Sequence, residues 1–216
     1  MTSGKCGENL TWTLDNAGTL TISGNGKMEK YSWYNYKSSI KKVIVQTSWE
    51  KKPQNLTSLS SEAFKQYTNL EEVLIRDYVI KIGARAFDSC TNLKTVEITG
   101  SVKRIGAGAF QKCTRLKTVT ISKGVKTIGV GAFKDCSNLE TVEIPDSVIR
   151  IEDGAFYNCP KLTNKTIPSS VEDIGNDIFC KDDTDTDTDT DTDTDSDTDS
   201  DTNSDTDSDT NSDTDS

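Results

Sequence analysis

A solenoid of short, near-identical coils is the fold class this sequence predicts, and three observations predict it. Phe64, Phe87, Phe110, Phe133, Phe156 and Phe179 recur at one constant spacing, each 23 positions after the last. The same pattern surrounds each of them, most regularly from Val102 to Ile121, V-K-R-I-G-A-G-A-F-Q-K-C-T-R-L-K-T-V-T-I. A strand-like unit, L-x-x-V-x-I, repeats as Leu70/Val73/Ile75, Leu93/Val96/Ile98, Leu116/Val119/Ile121 and Leu139/Val142/Ile144. One such coil cannot bury its own apolar face, so only the stack is stable.

The elements divide into residues 1–45, a cap with the first ladder strand; 46–180, the solenoid; and 181–216, an Asp/Thr/Ser tail. In the cap, Leu10, Trp12 and Leu14 alternate with threonines, as do Leu20 and Ile22, and Asp15-Asn16-Ala17-Gly18 lies between them. This predicts a β-hairpin with one apolar face. Tyr31, Trp33, Tyr34 and Tyr36 follow. Clustered rings make either a stacking platform for sugars or bases or a cover for the first coil. The cover is favoured, because a solenoid end must be closed for solubility. Ile40, Val43 and Val45 repeat the offsets of Leu93, Val96 and Ile98 and predict the first rung. Val45 to Phe64 spans 19 positions where Ile98 to Phe110 spans 12, so seven residues are inserted around Ser48–Gln54. The insertion, with Trp49, Glu50, Lys51 and Lys52, is a candidate binding loop or a tolerated bulge beside the cap.

Within each coil the strand leads through a turn to V-x-x-I-G and then to Ala-Phe with a cysteine three positions on. Gly83, Gly106, Gly129 and Gly175 are expected at bends that use positive φ, with Glu152 in the equivalent place of one coil. Cys90, Cys113, Cys136 and Cys159 keep the period, while Cys6 and Cys180 lie at opposite ends. Zinc sites favour close cysteine pairs, which this chain lacks. Rungs about 4.8 Å apart are too far for the Cβ separation of roughly 3.5–4.5 Å that a disulfide needs. A column of buried free thiols is therefore expected.

Charge is unevenly divided. The tail from Asp182 holds 16 Asp and no Lys or Arg, leaving 19 acidic against 25 basic residues in 1–181. Lys103, Arg104, Lys112, Arg115, Lys117, Lys123 and Lys126 are the densest basic group. Coiling is expected to scatter them over different faces, which argues against nucleic acid as a partner. Histidine is absent, which removes the commonest general base and metal ligand; no catalytic residue, cofactor or metal site is predicted, and the chain reads as non-enzymatic. No apolar run approaches the roughly 18 residues of a membrane span, and residues 1–5 do not read as a signal peptide.

The repeats, with Ile144-Pro145, Ile167-Pro168 and Ala86-Phe87-Asp88-Ser89-Cys90 and its copies, resemble the BspA-like leucine-rich repeat class of surface proteins. Cys6-Gly7-Glu8-Asn9-Leu10-Thr11-Trp12 and Gly18-Thr19-Leu20-Thr21-Ile22-Ser23-Gly24 are similar to the hairpin cap of its bacterial members. The resemblance, over residues 6–180, implies a leucine-rich repeat solenoid, α/β to mostly β. It would have a parallel sheet on one face and short turns or helical segments on the other. It also implies secretion or surface display and a role in adhesion to an extracellular protein or glycan. It carries over no shared catalytic site and no ligand residue.

Residues flanking the strand valine point away from the core. Glu72, Leu74, Thr95, Glu97, Thr118, Thr120, Thr141, Glu143, Asn164 and Thr166 are thus the candidate binding residues, on a face that is otherwise an ordinary solvated strand surface. Lys165 takes the valine position of the last coil, and no closing strand follows Phe179, so an exposed carboxy-terminal edge is expected. The tail has no apolar residue with which to offset the entropy of ordering, and reads as a disordered stalk or linker with at most weak calcium association. An alternative to the adhesion reading is a spacer or targeting module of a larger extracellular protein.

Overall fold

The computed structural model describes residues 1–46, 57–76, 79–99 and 101–179, which all belong to one unit, Met1–Asp182. Strands β1 (Thr2–Lys5), β2 (Asn9–Leu14) and β3 (Thr19–Asn25) form an antiparallel meander. The hairpin of β2 and β3 follows from the alternation that buries Leu10, Trp12, Leu14, Leu20 and Ile22. The added edge strand β1 is polar throughout and has no apolar alternation by which the sequence could mark it.

β3 then pairs in parallel with β4 (Lys42–Val45), Leu20 opposite Val43 and Ile22 opposite Val45. That offset already equals the spacing of the phenylalanines, so the ladder begins inside the cap. Beyond it the chain alternates between two parallel sheets. The L-x-x-V-x-I units supply β6 (Glu72–Ile75), β8 (Thr95–Ile98), β10 (Thr118–Ile121) and β12 (Thr141–Glu143). These extend the cap into sheet A, ordered β1-β2-β3-β4-β6-β8-β10-β12. The V-x-x-I units and their equivalents supply β5 (Thr57–Leu59), β7 (Val79–Ile82), β9 (Arg104–Ile105), β11 (Thr127–Ile128), β13 (Arg150–Ile151) and β14 (Asp173–Ile174). They form sheet B, ordered β14-β13-β11-β9-β7-β5. The side opposite sheet A thus carries a second narrow sheet. Among the described residues, the one helical segment is a 3-10 turn at Tyr34–Ser39 in the cap.

Between sheets, the Ala-Phe corner divides its backbone donors in two. Arg85, Phe87 and Ser89 donate N–H to Ala107, Ala109 and Gln111 of the next coil at 2.9, 2.7 and 2.8 Å, while Asp88 and Cys90 donate within their own coil to Arg85 and Phe87. This alternation uses two left-handed residues per coil. They are Glu62, Arg85, Gly108, Gly131, Gly154 and Asp177, and, four positions on, Gln66, Ser89, Lys112, Asp135 and Asn158, with φ between 48° and 62°.

Gly83, Gly106, Gly129 and Gly175 are not among the positive-φ residues, which corrects the expected reason for their recurrence. They are needed because neighbouring coils nearly touch there. A Cβ on Gly106 would lie 2.7 Å from the Ile82 oxygen, and one on Gly129 2.8 Å from the Ala107 nitrogen. Glu152 occupies this position in its coil, its carboxylate accepting the Val130 N–H at 3.1 Å and meeting Arg104 at 2.9 Å.

The core is a set of columns. Phe64, Phe87, Phe110, Phe133 and Phe156 stack face to face at 5.2–5.3 Å with planes within 6°. Trp33 extends the stack beneath Phe64 at 5.4 Å, and Trp12 meets Trp33 edge-on at 6.3 Å. Trp33 is fully buried, so one member of the aromatic cluster closes the ring column, while Tyr31, Tyr34 and Tyr36 stay exposed. Each stacked pair contributes about 0.5–1.5 kcal/mol beyond the area it buries. Beside the rings, Cys90, Cys113, Cys136 and Cys159 are buried, and none of them is in a disulfide. Each S–H donates to the phenylalanine carbonyl one coil back, at 3.1–3.3 Å. Cys6 is also buried and in no disulfide, and Cys180 lies outside the described residues.

Candidate binding face

Parallel pairing without a register slip carries each outward residue onto its copy. On sheet A, Lys42, Glu72, Thr95, Thr118 and Thr141 form one column, and Ile44, Leu74, Glu97, Thr120 and Glu143 the other. The two columns continue into the cap through Thr19 and Thr21. Thr95, Glu97, Thr118, Thr120, Thr141 and Glu143 are exposed, whereas Glu72 and Leu74 are half-buried. Glu72 is held at 2.8 Å by Lys42, and Leu74 sits between Ile44 and Glu97. Asn164 and Thr166 are exposed but belong to no strand, because the Asn164 side chain accepts the Thr166 N–H at 3.0 Å and the exposed Lys165 does not enter the core. Sheet A therefore carries eight of the ten predicted face residues; Trp49, Glu50, Lys51 and Lys52 lie outside the described residues.

At the entry to these strands, Lys94 meets Glu71 at 2.6 Å and Lys117 approaches Glu140 to 3.9 Å. The Lys94 ammonium, by hydrogen bond and charge, holds the Glu71 carboxyl below its ordinary range. An open depression of about 540 Å³ lies here, lined by Lys94, Thr95, Arg115, Lys117, Thr118 and Asn138.

Sheet B has a different chemistry. Its V-x-x-I units bury Val and, in every coil but the last, Ile, and turn both middle residues outward. Ser58, Lys81, Arg104, Thr127, Arg150 and Asp173 thereby form one column, and Lys103 and Lys126 stand beside it through the bond from Lys126 N–H to the Lys103 carbonyl at 2.8 Å. Three of the basic residues expected to scatter, Lys103, Arg104 and Lys126, are thus brought onto one face with Lys81 and Arg150, while Lys112, Arg115 and Lys117 lie elsewhere. Arg104 pairs with Glu152 at 2.9 Å and Arg150 with Asp173 at 2.7 Å. Among the described residues, no group of three or more His, Cys, Asp or Glu side chains is placed to hold a metal, and no helix is long and apolar enough to cross a membrane.

The model of the BspA-type leucine-rich repeat region matches residues 57–184 in six copies. This chain belongs to the BspA-type leucine-rich repeat family. A leucine-rich cell surface protein from Faecalibacterium prausnitzii A2-165 is similar to it at 31% identity and a TM-score of 0.55, over 81% of this chain and 51% of its own. A leucine-rich repeat protein from Bacteroides ovatus ATCC 8483 gives 25% identity and a TM-score of 0.50, over 80% of this chain and 49% of its own. The leucine-rich repeat protein of T. pallidum shares the fold at 23% identity and a TM-score of 0.50, over 79% of this chain and 85% of its own. The BspA-type chain thus spans about half the length of the first two relatives. No curated protein sequence matches it.

Proposed function

We propose that this BspA-type solenoid is a non-enzymatic, secreted or cell-surface adhesion module that recognises an extracellular protein or glycan through the outward face of sheet A. The observation that carries the reading is the pair of Thr and Glu columns along β6, β8, β10 and β12, which are exposed or half-exposed over four successive coils. Hydroxyls and carboxylates at a fixed pitch of about 4.8 Å offer a repeating set of donors and acceptors to a partner's polar groups. The fold keeps them in place, because each strand's other face is locked into the core. The cell-surface description of the F. prausnitzii relative supports surface display for this chain. The Trp49–Lys52 insertion is a second contact region in this reading, and residues 181–216 act as a stalk or linker with weak calcium association.

The test is a binding screen of the protein against extracellular matrix proteins and surface glycans, followed by the triple variant Thr95→Lys, Thr118→Lys, Thr141→Lys. Exposed strand positions tolerate lysine, so the far-ultraviolet circular dichroism and melting temperature stay near those of the parent. Partner binding falls at least tenfold. Unchanged binding by the folded variant would exclude this face. A second reading, a spacer or targeting module within a longer protein, is favoured by the chain's spanning about half of two relatives. A screen with no partner, together with a docking or catalytic domain adjoining the repeats in the gene, selects it.

A further inference from the structure

We propose that the outward face of sheet B is a second binding surface, whose ligand is a linear sulfated polysaccharide. This does not rest on the reading of sheet A, since the two faces differ in position and chemistry. Lys81, Arg104 and Arg150 lie in one column, with Lys103 and Lys126 in the next. Lys27 extends the basic surface through its parallel bridge to Ser58. From Lys27 to Arg150 there are five steps from rung to rung, a run of about 24 Å at the ordinary strand spacing.

Glu152 and Asp173 are spent on the two arginines, Arg104 and Arg150, and the exposed Glu172 stands at the far end of the second file, two rungs beyond Lys126. Lys27, Lys81, Lys103 and Lys126 are exposed and have no carboxylate partner among the described residues. Four unneutralised ammonium groups in two files attract an anion that repeats along one axis, and counterion release adds to the attraction. At the cap end of the files a depression of about 600 Å³ brings Lys27 and Lys81 together with Ser58, Ser60 and Ser61. Ammonium and hydroxyl groups in one hollow suit a sugar ring bearing sulfate. Nucleic acid fits less well, because β7, β9, β11 and β13 carry no aromatic side chain to stack a base.

The experiment measures binding of the full chain to heparin, to hyaluronan as an unsulfated carboxylated comparator, and to a single-stranded oligonucleotide. The triple variant Lys81→Glu, Lys103→Glu, Lys126→Glu is measured alongside a charge-matched control, Lys5→Glu, Lys41→Glu, Lys112→Glu, whose three lysines are exposed away from sheet B. The proposal expects heparin to bind more tightly than either comparator, with affinity falling steeply between about 50 and about 200 mM salt. It also expects the sheet B variant to lose at least tenfold while the control stays within about threefold. Circular dichroism checks that both variants fold, and Lys81→Gln, Lys103→Gln, Lys126→Gln serves if the reversal does not, with a smaller loss of the same kind. No heparin binding, equal loss in the two charge-reversed variants, hyaluronan bound as tightly as heparin, or the oligonucleotide bound more tightly would each overturn it.

Discussion

Tyr67 stands where the later coils have cysteine, one coil before Cys90, and it begins the thiol column with a phenol. Its hydroxyl and the Trp33 indole N–H are both buried, and neither finds a partner of hydrogen-bonding geometry among the described residues. Burial pushes the Tyr67 hydroxyl from its ordinary 10.0 up to about 12, with the adjacent Trp33 indole opposing the shift. The same desolvation raises Cys90 from 9.0 to about 12 and Cys6 to about 11, and drives Cys113 and Cys136 well above 9.0. The unfolded chain ionises these groups from about pH 9 upward while the native state keeps them protonated. Their ionisation costs no stability below that pH, and stability falls progressively as pH rises from about 9 towards about 12. Urea titrations at a series of pH values check this; a midpoint that holds steady to about pH 11 would contradict it. In the same samples at neutral pH, a thiol reagent leaves the buried cysteines of the native protein unreacted, and counts six after unfolding.

The corner between the sheets shows which local rules pattern reading catches. Apolar positions are legible because burial is periodic: in each central coil Val and Ile recur twice and Phe and Cys once, and the structure turns them inward. The left-handed positions are not, because Glu62, Arg85, Gly108 and Asp177 hold similar φ with unrelated side chains. Sheet B escapes a sequence reading because most of its strands are two residues long, too short for an alternating pattern to emerge. The recurrent glycine is visible, but its cause lies in the neighbouring coil and cannot be read within one repeat. Gly129→Ala is therefore expected to cost about 1–3 kcal/mol through overpacking against the Ala107 backbone. Gly131→Asn, two positions on and at φ +55°, is expected to cost under about 1 kcal/mol, since asparagine tolerates that conformation. Thermal unfolding of the pair distinguishes them, and equal losses would refute the close-approach account.

For the molecule as a whole, the sheets end at different coils. Sheet A stops at β12, where Lys165 stands in place of a core valine, while sheet B continues to β14. The ring column loosens at the same end, Phe156 to Phe179 widening to 5.8 Å and 19°, and Ile174 is 54% exposed. In a stack held by nearest-neighbour contacts, the coil with fewest partners opens first. Amide hydrogen exchange is thus expected to be fastest in β14, slower in β12 and slowest in β8 and β10; equal protection of β14 and β10 would count against this order.

The division of each coil into inward and outward positions separates what must persist from what can vary. A substitution at an outward site alters one point on a file of equally spaced points, and leaves the columns of rings and thiols behind it undisturbed. A lineage carrying such a scaffold can respell the inscription on either face one letter per coil, exchanging its partners while its architecture is inherited intact.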